Sequence, residues 1–377
     1  MVTTSLISTG NNYRIKKVIE KAQKGEKVTI AFIGGSITEG AGARARENSN
    51  CYAYQSYLYF KSTFGAGDGS NVEYINAGMG GTPSSLGLIR YDRDITGYGK
   101  AEPDIVFIEF AVNDYQETTG GEAYESLIRK VLSSGSQPAV ILIFSVFKSR
   151  WNMQDLYKPI GAYYELPMIS IKDAVVPELL EGNITEEDFF ADDYHPTDLG
   201  HGIMTECVKN YFNAVKAEEA HKMDTELVGP AVLGNSFEKI RMLDSSTEVK
   251  DIRITPGGFD TVDEELCMVY GLKQKTFPYN WKHTAASTAD PFVMSLKCRN
   301  LLLVYKSSSD KEFGIADVYV DGERIARLDS KEGGGWNNPV TLLLFKKGSS
   351  KRHTIEIRMA EGSEEKEFSL LAFGYTP

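Results

Sequence analysis

A serine follows two glycines at the end of a short apolar, β-branched run: residues 28–33 read VTIAFI, and Gly34-Gly35-Ser36 comes next. Such a run forms a strand buried on both faces. Ser36 therefore stands at the carboxyl end of a strand, the edge at which open α/β sheets bind ligands, and the glycines allow a sharp turn and a close backbone approach to a substrate. That position suits a nucleophile; it also suits a plain N-cap of the following helix. A serine hydroxyl is a weak nucleophile at neutral pH. It needs an adjacent base, a third group to orient that base, and donors for a developing oxyanion. Further along, residues 77–83 (AGMGGTP) form a second glycine-dense turn after a strand-like run, and Asn113 follows a third, DIVFIEF at 104–110. Residues 188–201 (DFFADDYHPTDLGH) set two of the five histidines beside a cluster of carboxylates. A base is thus available.

The order Ser36, Gly81, Asn113, then Asp192-x-x-His195-Pro196 resembles the SGNH, or GDSL-like, serine hydrolase family, over roughly residues 26–216. The resemblance implies Ser36 as nucleophile, His195 as general base and Asp192 as the group holding the imidazole tautomer. It also implies an oxyanion hole made of the backbone N–H groups of Ser36 and Gly81 and the side-chain amide of Asn113. Gly80 is the alternative to Gly81, and Asp193 the alternative to Asp192. Gly35 departs from the pattern, because much of the family has aspartate before the serine. The Gly-Gly-Ser-Ile-Thr form found here is similar to a subgroup that includes carbohydrate esterases removing O-acetyl groups. The implied activity is a carbohydrate acetyl esterase acting through an acyl-enzyme, with no metal and no organic cofactor. The other open readings are an esterase, thioesterase or lysophospholipase of the same family, which would prefer longer acyl chains, and a non-catalytic carbohydrate-binding protein.

Two phosphate-binding readings of the same glycines fail on inspection. Gly35 and Gly40 have P-loop spacing, but Ala41 stands where the lysine must be. Residues 40–45 fit the G-x-G-x-x-A dinucleotide fingerprint, yet begin seven residues after the strand ends instead of at its end. His201 lies six residues after His195, off the i, i+4 spacing that would place two metal ligands on one helical face, so it reads as structural. Arg90 and Arg93, on the helix after the Gly81 turn, read as solvated, with reach into the cleft as the alternative.

The elements that must position these groups alternate. Ile15, Val18, Ile19 and Ala22 fall at helical spacing. Strands are predicted at 28–33, 72–76, 104–110, 139–145 and 168–171, with helices at 52–64, 84–95, 121–132, 155–165 and 197–216 between and after them. That pattern gives a parallel sheet covered on both faces. With the resemblance it implies a three-layer α/β/α, flavodoxin-like domain over residues 1–220. The charged run 216–224 reads as a linker, and period-2 alternation follows, as in residues 354–359. Residues 318–328 contain an Asp321-Gly322 hairpin turn. Residues 221–377 are therefore expected to form an all-β, jelly-roll-like sandwich, similar to the carbohydrate-binding domains that follow some acetyl esterases. Within it Trp281 (FPYNWKHT) and Trp336 (GGGWNNP) are expected on loops, where an indole could stack on a sugar ring; filling the sandwich core or the interdomain seam is the alternative.

At 377 residues the chain exceeds the ~250 to 300 at which single cores stop growing, which also favours two domains. A net charge of −11 argues against nucleic acid or an anionic membrane as the main partner. A neutral ligand such as an acetylated oligosaccharide is easier to reconcile, and no residue pattern speaks to oligomeric state. With no secretory-type start and no apolar run long enough to span a membrane, the chain reads as cytoplasmic unless a leader has been removed. Cys51, Cys207, Cys267 and Cys298 are widely spaced with no Cys-x-x-Cys pair, which fits buried thiols.

Overall fold

The computed structural model describes residues 2–44, 50–225, 227 and 229–377; Ala45, the last residue of the dinucleotide-like pattern, lies outside them. Contacts divide the chain into two units, residues 1–235 with 269–273, and residues 236–268 with 274–377.

In the first unit the expected alternation is present. Its elements run β1 (Leu6–Ser8), α1 (Tyr13–Gln23), β2 (Val28–Gly34), α2 (Ser36–Glu39), α3 (Tyr52–Phe64), β3 (Val72–Gly78), α4 (Ser84–Asp94) and β4 (Ile105–Glu109). They continue through α5 (Glu122–Leu132), β5 (Ala139–Phe144), α6 (Gln154–Tyr163), β6 (Met168–Ser170), α7 (Ile171–Leu180), α8 (Glu186–Phe189) and α9 (Asp198–Ala217). The strands order as β1-β6-β5-β4-β2-β3. β2 to β6 are parallel, and β1 adds an antiparallel edge on β6 that the sequence pattern did not signal, being only three residues long. Leaving β1 aside, this is the flavodoxin-like order, in which the order of successive strands reverses between β2 and β4. Ligand sites in such sheets open at that reversal, and Ser36 and Asn113 follow the two strands that flank it.

Every residue of β2, β4 and β5 is buried, as apolar runs without alternation require. On one face Ile30, Phe32, Phe107, Ile141 and Ile143 share a core with residues of α1, α3 and α9. Their neighbours Ala31, Ile33, Val106, Ile108 and Leu142 are equally buried on the other face, where α4, α5 and α6 touch the sheet. Each fully buried side chain of this size contributes about 1.5–3 kcal/mol. Cys51, Cys207 and Cys298 are buried, Cys267 is partly so, and all four are free thiols.

The segment after α9 is a strap on the first unit. Arg14 pairs with Asp224 at 2.9 Å, and the buried Glu125 carboxylate accepts the N–H groups of Val232 (2.7 Å), Leu233 (2.5 Å) and Gly234 (3.0 Å) and the Tyr164 hydroxyl (2.6 Å). The described residues of 221–235, grouped with the second domain by composition, therefore pack with the first.

The second unit is all-antiparallel: β7 (Arg241–Leu243), β8 (Arg253–Thr255), β9 (Met268–Val269, whose last residue counts with the first unit), β10 (Gln274–Lys275), β11 (Trp281–His283), β12 (Phe292–Ser308), β13 (Ile315–Val320), β14 (Glu323–Asp329), β15 (Trp336–Met359) and β16 (Phe368–Thr376). β12 and β15 pair along nearly their whole length, with register shifts at Cys298/Asn300, Leu301/Leu302 and Ser307/Ser308. One half of β12 carries β8 on its other side, and the second half carries β16. Residues from both halves of the two long strands meet in one core. The Asp321-Gly322 turn has φ of 53° and 87°, the left-handed pair that a two-residue hairpin favours. Among the described residues no helix is long and apolar enough to cross a membrane.

Because Glu125 accepts three strap amides at once, Glu125→Ala should leave them unpaired at about 1–3 kcal/mol each before rehydration. Hydrogen exchange at Val232, Leu233 and Gly234 is expected to accelerate by orders of magnitude while β4 and β5 stay protected. Unchanged protection at the three amides would contradict this account of the strap.

Candidate active site

Ser36 opens α2 directly after β2, half-buried, with Gly35 buried behind it. Gly35 has no room for a side chain, since a Cβ there would overlap the amide of Asn113. The missing acidic residue before the serine is thus explained locally: the space is filled by the turn after β4. That turn is a 3₁₀ segment, Asn113–Gln116, whose Asn113 and Asp114 N–H groups both bond Phe110 O. Gly81 lies in the turn after β3 with φ of +66°, a left-handed conformation that glycine adopts without penalty. Gly81 is exposed and its neighbour Gly80 buried.

The third part comes from the loop between α8 and α9. His195 Nε2 stands 2.9 Å from Ser36 Oγ, and His195 Nδ1 stands 2.8 Å from Asp192 Oδ2. Asp192 Oδ1 accepts the N–H groups of Tyr194 and His195, each at 2.8 Å, so the carboxylate folds its own loop while it holds the ring. Burial acts to raise the Asp192 pKa, but the imidazole and the two backbone donors outweigh it and hold the carboxyl below its ordinary range. With Nδ1–H given to Asp192, Nε2 is left as acceptor for the serine hydroxyl. Asp193 is exposed, and its backbone carbonyl accepts the N–H of Lys148. The structure therefore brings Ser36, Asp192 and His195 into one chain of hydrogen bonds, with Asn113 against the turn that carries the serine.

His201 is buried, accepts from Tyr52 N at 3.3 Å and donates to Ala41 O at 3.0 Å, fixing the loop after α2 to α9. Burial pulls its pKa down to about 4, so it is the neutral Nε2–H tautomer at neutral pH.

The arginines correct the sequence reading. Arg90 is not solvated: its side chain is fully buried, paired with Asp94 at 3.1 Å, and donates to Ala77 O at 2.6 Å and Gly34 O at 3.2 Å. Arg93 also reaches Asp94, at 2.6 Å. Nothing in helical periodicity distinguishes an arginine aimed at strand-end carbonyls from one aimed at water. Two buried carboxyls were missed for the same reason. Asp114 accepts Ser84 N at 2.6 Å and the Tyr157 hydroxyl at 2.5 Å, joining the Asn113 turn to the start of α4. Glu109, the last residue of β4, accepts from Thr38 Oγ1 at 2.9 Å, and that hydroxyl lies 2.9 Å from Tyr52 OH. Burial raises both carboxyls to about 7, against the hydrogen bonds that favour ionisation.

Trp281 is another correction. It lies in strand β11 instead of a loop, is 6% exposed, and packs in the core against Phe292 and Phe373, leaving no face for a sugar ring. Trp336 opens β15 and is 50% exposed. A depression of about 1000 Å³ lined by Gly10, Glu165, Glu218 and His221 lies where β6 begins, the sheet edge opposite to Ser36.

The sequence profile of the GDSL-like Lipase/Acylhydrolase family matches residues 32–203. No curated protein matches the chain. Among solved structures it is similar to a two-domain esterase (CEX) active on acetylated mannans, with 30% identity and a TM-score of 0.85 over 100% of this chain and 99% of that one. The same type of esterase co-crystallised with mannopentaose gives 29% identity and a TM-score of 0.83, over 99% and 98% of the two chains.

Glu109 supplies a pH test. Its folded-state pKa of about 7 exceeds the ordinary 4.5, so the native state holds the proton more tightly. Its contribution to stability is complete below pH 4.5 and is lost as pH rises through 7. Glu109→Gln, which cannot ionise, should therefore gain on the wild type between pH 5 and pH 8, by up to about 3 kcal/mol. Melting curves for both proteins across that range would check it, and parallel curves would contradict the buried, proton-holding carboxyl.

Proposed function

The chain belongs to the GDSL-like lipase/acylhydrolase family, and from that premise we propose that it is a serine esterase that removes O-acetyl groups from carbohydrate. The observation that carries the reading is the Ser36–His195–Asp192 hydrogen-bond chain at the sheet's reversal point. The similarity to an esterase active on acetylated mannans along essentially the whole of both chains supports the substrate class.

His195 Nε2 takes the proton of Ser36 Oγ as the oxygen attacks the acetyl carbonyl. The N–H groups of Ser36 and Gly81 and the Asn113 amide hold the oxyanion. Collapse expels the sugar oxygen, which leaves with the proton from His195, and the acetyl group remains on Ser36. Water, deprotonated by the same imidazole, then releases acetate. Asp192 keeps Nδ1 protonated throughout; Asp193 has no part. The chemistry lies in the first unit, and the second unit, residues 236–268 with 274–377, acts as a carbohydrate-binding-like module, with Trp336 as its exposed aromatic contact. The reading invokes no metal or organic cofactor.

Ser36→Ala should abolish acetate release from acetylated oligosaccharides and from 4-nitrophenyl acetate in a protein that still folds, leaving about 10³- to 10⁴-fold over water at most. Asp192→Asn should lower kcat by orders of magnitude through the wrong tautomer, and Asp193→Asn should change it little. A folded Ser36→Ala protein with wild-type turnover would end the serine-esterase reading, and a larger loss at Asp193 would reverse the aspartate assignment.

A further inference from the structure

Beside His195 lies a run of aromatic rings that no step of the acyl transfer uses. Tyr194 stands with its ring centroid 6.2 Å from that of His195 and 5.1 Å from that of Phe147; Phe147 is 6.1 Å from Trp151, and Trp151 is 6.2 Å from Tyr115. The path starts at the imidazole and ends two residues past Asn113. Three of the four rings are open to solvent, Trp151 at 38%, Tyr194 at 55% and Tyr115 at 60% exposure.

The run is built, not incidental. Its rings come from the turns after β4 and β5 and from the histidine loop, and backbone hydrogen bonds join all three: Lys148 N to Asp193 O at 3.0 Å, and Met153 N to Ala111 O at 2.8 Å. Phe147 N also bonds Trp151 O at 3.2 Å, and Asn152 Nδ2 donates to Ser145 O at 2.8 Å, closing the turn that presents the indole. Exposed rings fixed in this way have little conformational entropy left to lose on binding. The nearby cations are tied to a carboxylate, since Glu186 pairs with Arg150 at 2.6 Å and with Lys148 at 3.4 Å. An aromatic surface that begins at His195, the hydrogen-bond partner of Ser36, suits a ligand that has apolar faces and polar edges. Pyranose rings fit that description, because their C–H faces pack on the electron-rich face of an indole or phenol while their hydroxyls stay in water.

We propose that Tyr194, Phe147, Trp151 and Tyr115 form a ledge on which the oligosaccharide chain flanking the acetylated residue lies, with Trp151 as its main stacking surface. The proposal rests on the carbohydrate-esterase reading above and assigns the sugar subsites to the catalytic unit itself.

The test compares wild type, Trp151→Ala and Tyr115→Ala on acetylated manno-oligosaccharides of one to five units, on 4-nitrophenyl acetate and on 4-nitrophenyl octanoate. The second variant removes the most exposed ring, so a folded protein remains if Trp151→Ala melts. In the wild type kcat/KM should rise with oligosaccharide length. Trp151→Ala should flatten that rise, losing about tenfold more on the pentasaccharide than on 4-nitrophenyl acetate, chiefly through KM, as loss of one aromatic hot spot does. Tyr115→Ala should show the same pattern more weakly. An unchanged length dependence in both variants, with the wild type active on oligosaccharides, would overturn the ledge and leave the esterase reading standing. A loss concentrated on the octanoate ester would overturn it in favour of an acyl-chain surface. A wild type that hydrolyses the nitrophenyl esters through Ser36 but releases acetate from no oligosaccharide would remove the carbohydrate reading and the ledge together.

Discussion

Arg90 places a charged group where a parallel sheet is weakest, at the strand ends where the ladder stops and backbone carbonyls lose their partners. Its guanidinium reaches Gly34 O at the end of β2 and Ala77 O near the end of β3, while Gly34 O also receives Met79 N. Those carbonyls sit at the departure points of the Ser36 and Gly81 turns. Burying an ion pair costs several kcal/mol per ion, and its attraction repays this only when the remaining donors are also used. Here burial pulls the Arg90 pKa down while Asp94 opposes it, and Asp94 itself is held below the ordinary carboxyl range by Arg93 and Arg90 against its own desolvation. What the pair supplies is geometry: two turns leave the sheet from ends that one planar group holds together.

The same economy of position recurs on the side of Asn113. Asp114 binds the first amide of α4 and the Tyr157 hydroxyl, so the turn after β4 is fixed relative to the helix that follows the Gly81 turn. Beneath the serine, Asn76 donates to Thr38 O at 2.8 Å, and Thr38 in turn donates to Glu109. α2 is only four residues long and could not hold a direction alone, since isolated short helices are marginal in water. Three buried polar contacts to β3 and β4 and to Tyr52 give it one.

How much of this was legible in the sequence follows from how local each signal is. The strands ending at Ser36 and Asn113 were readable, because a β-branched run that stops at glycine or asparagine states both its burial and its end. The pairing of His195 with Ser36, 159 residues apart, was readable only through the resemblance, since no local pattern specifies it. Arg90, Asp114 and Glu109 were not readable, because burial of a charge depends on what the fold brings opposite it. The tryptophans make the same point: Trp281 looked like a loop residue and fills the core, whereas Trp151, passed over in SRWNM, is held open by a turn whose hydrogen bonds cross three loops.

The histidine loop contrasts with this buried frame, and the contrast limits what Asp192 does by charge. Its side chain is about half exposed, and an ion pair open to water is worth only about 0–1 kcal/mol. Coulombic stabilisation of an imidazolium by so solvated a carboxylate is therefore small. Hydrogen-bond direction does not suffer the same screening: with Oδ1 committed to Tyr194 N and His195 N, the carboxylate cannot rotate, and Oδ2 stays in the plane where Nδ1–H must point. In the proposed triad Asp192 thus acts mainly by fixing the tautomer and angle of a ring that its own turn has already placed. The buried charged groups lie under the sheet's edge, and the Ser36–His195–Asp192 chain sits above it, partly open to solvent.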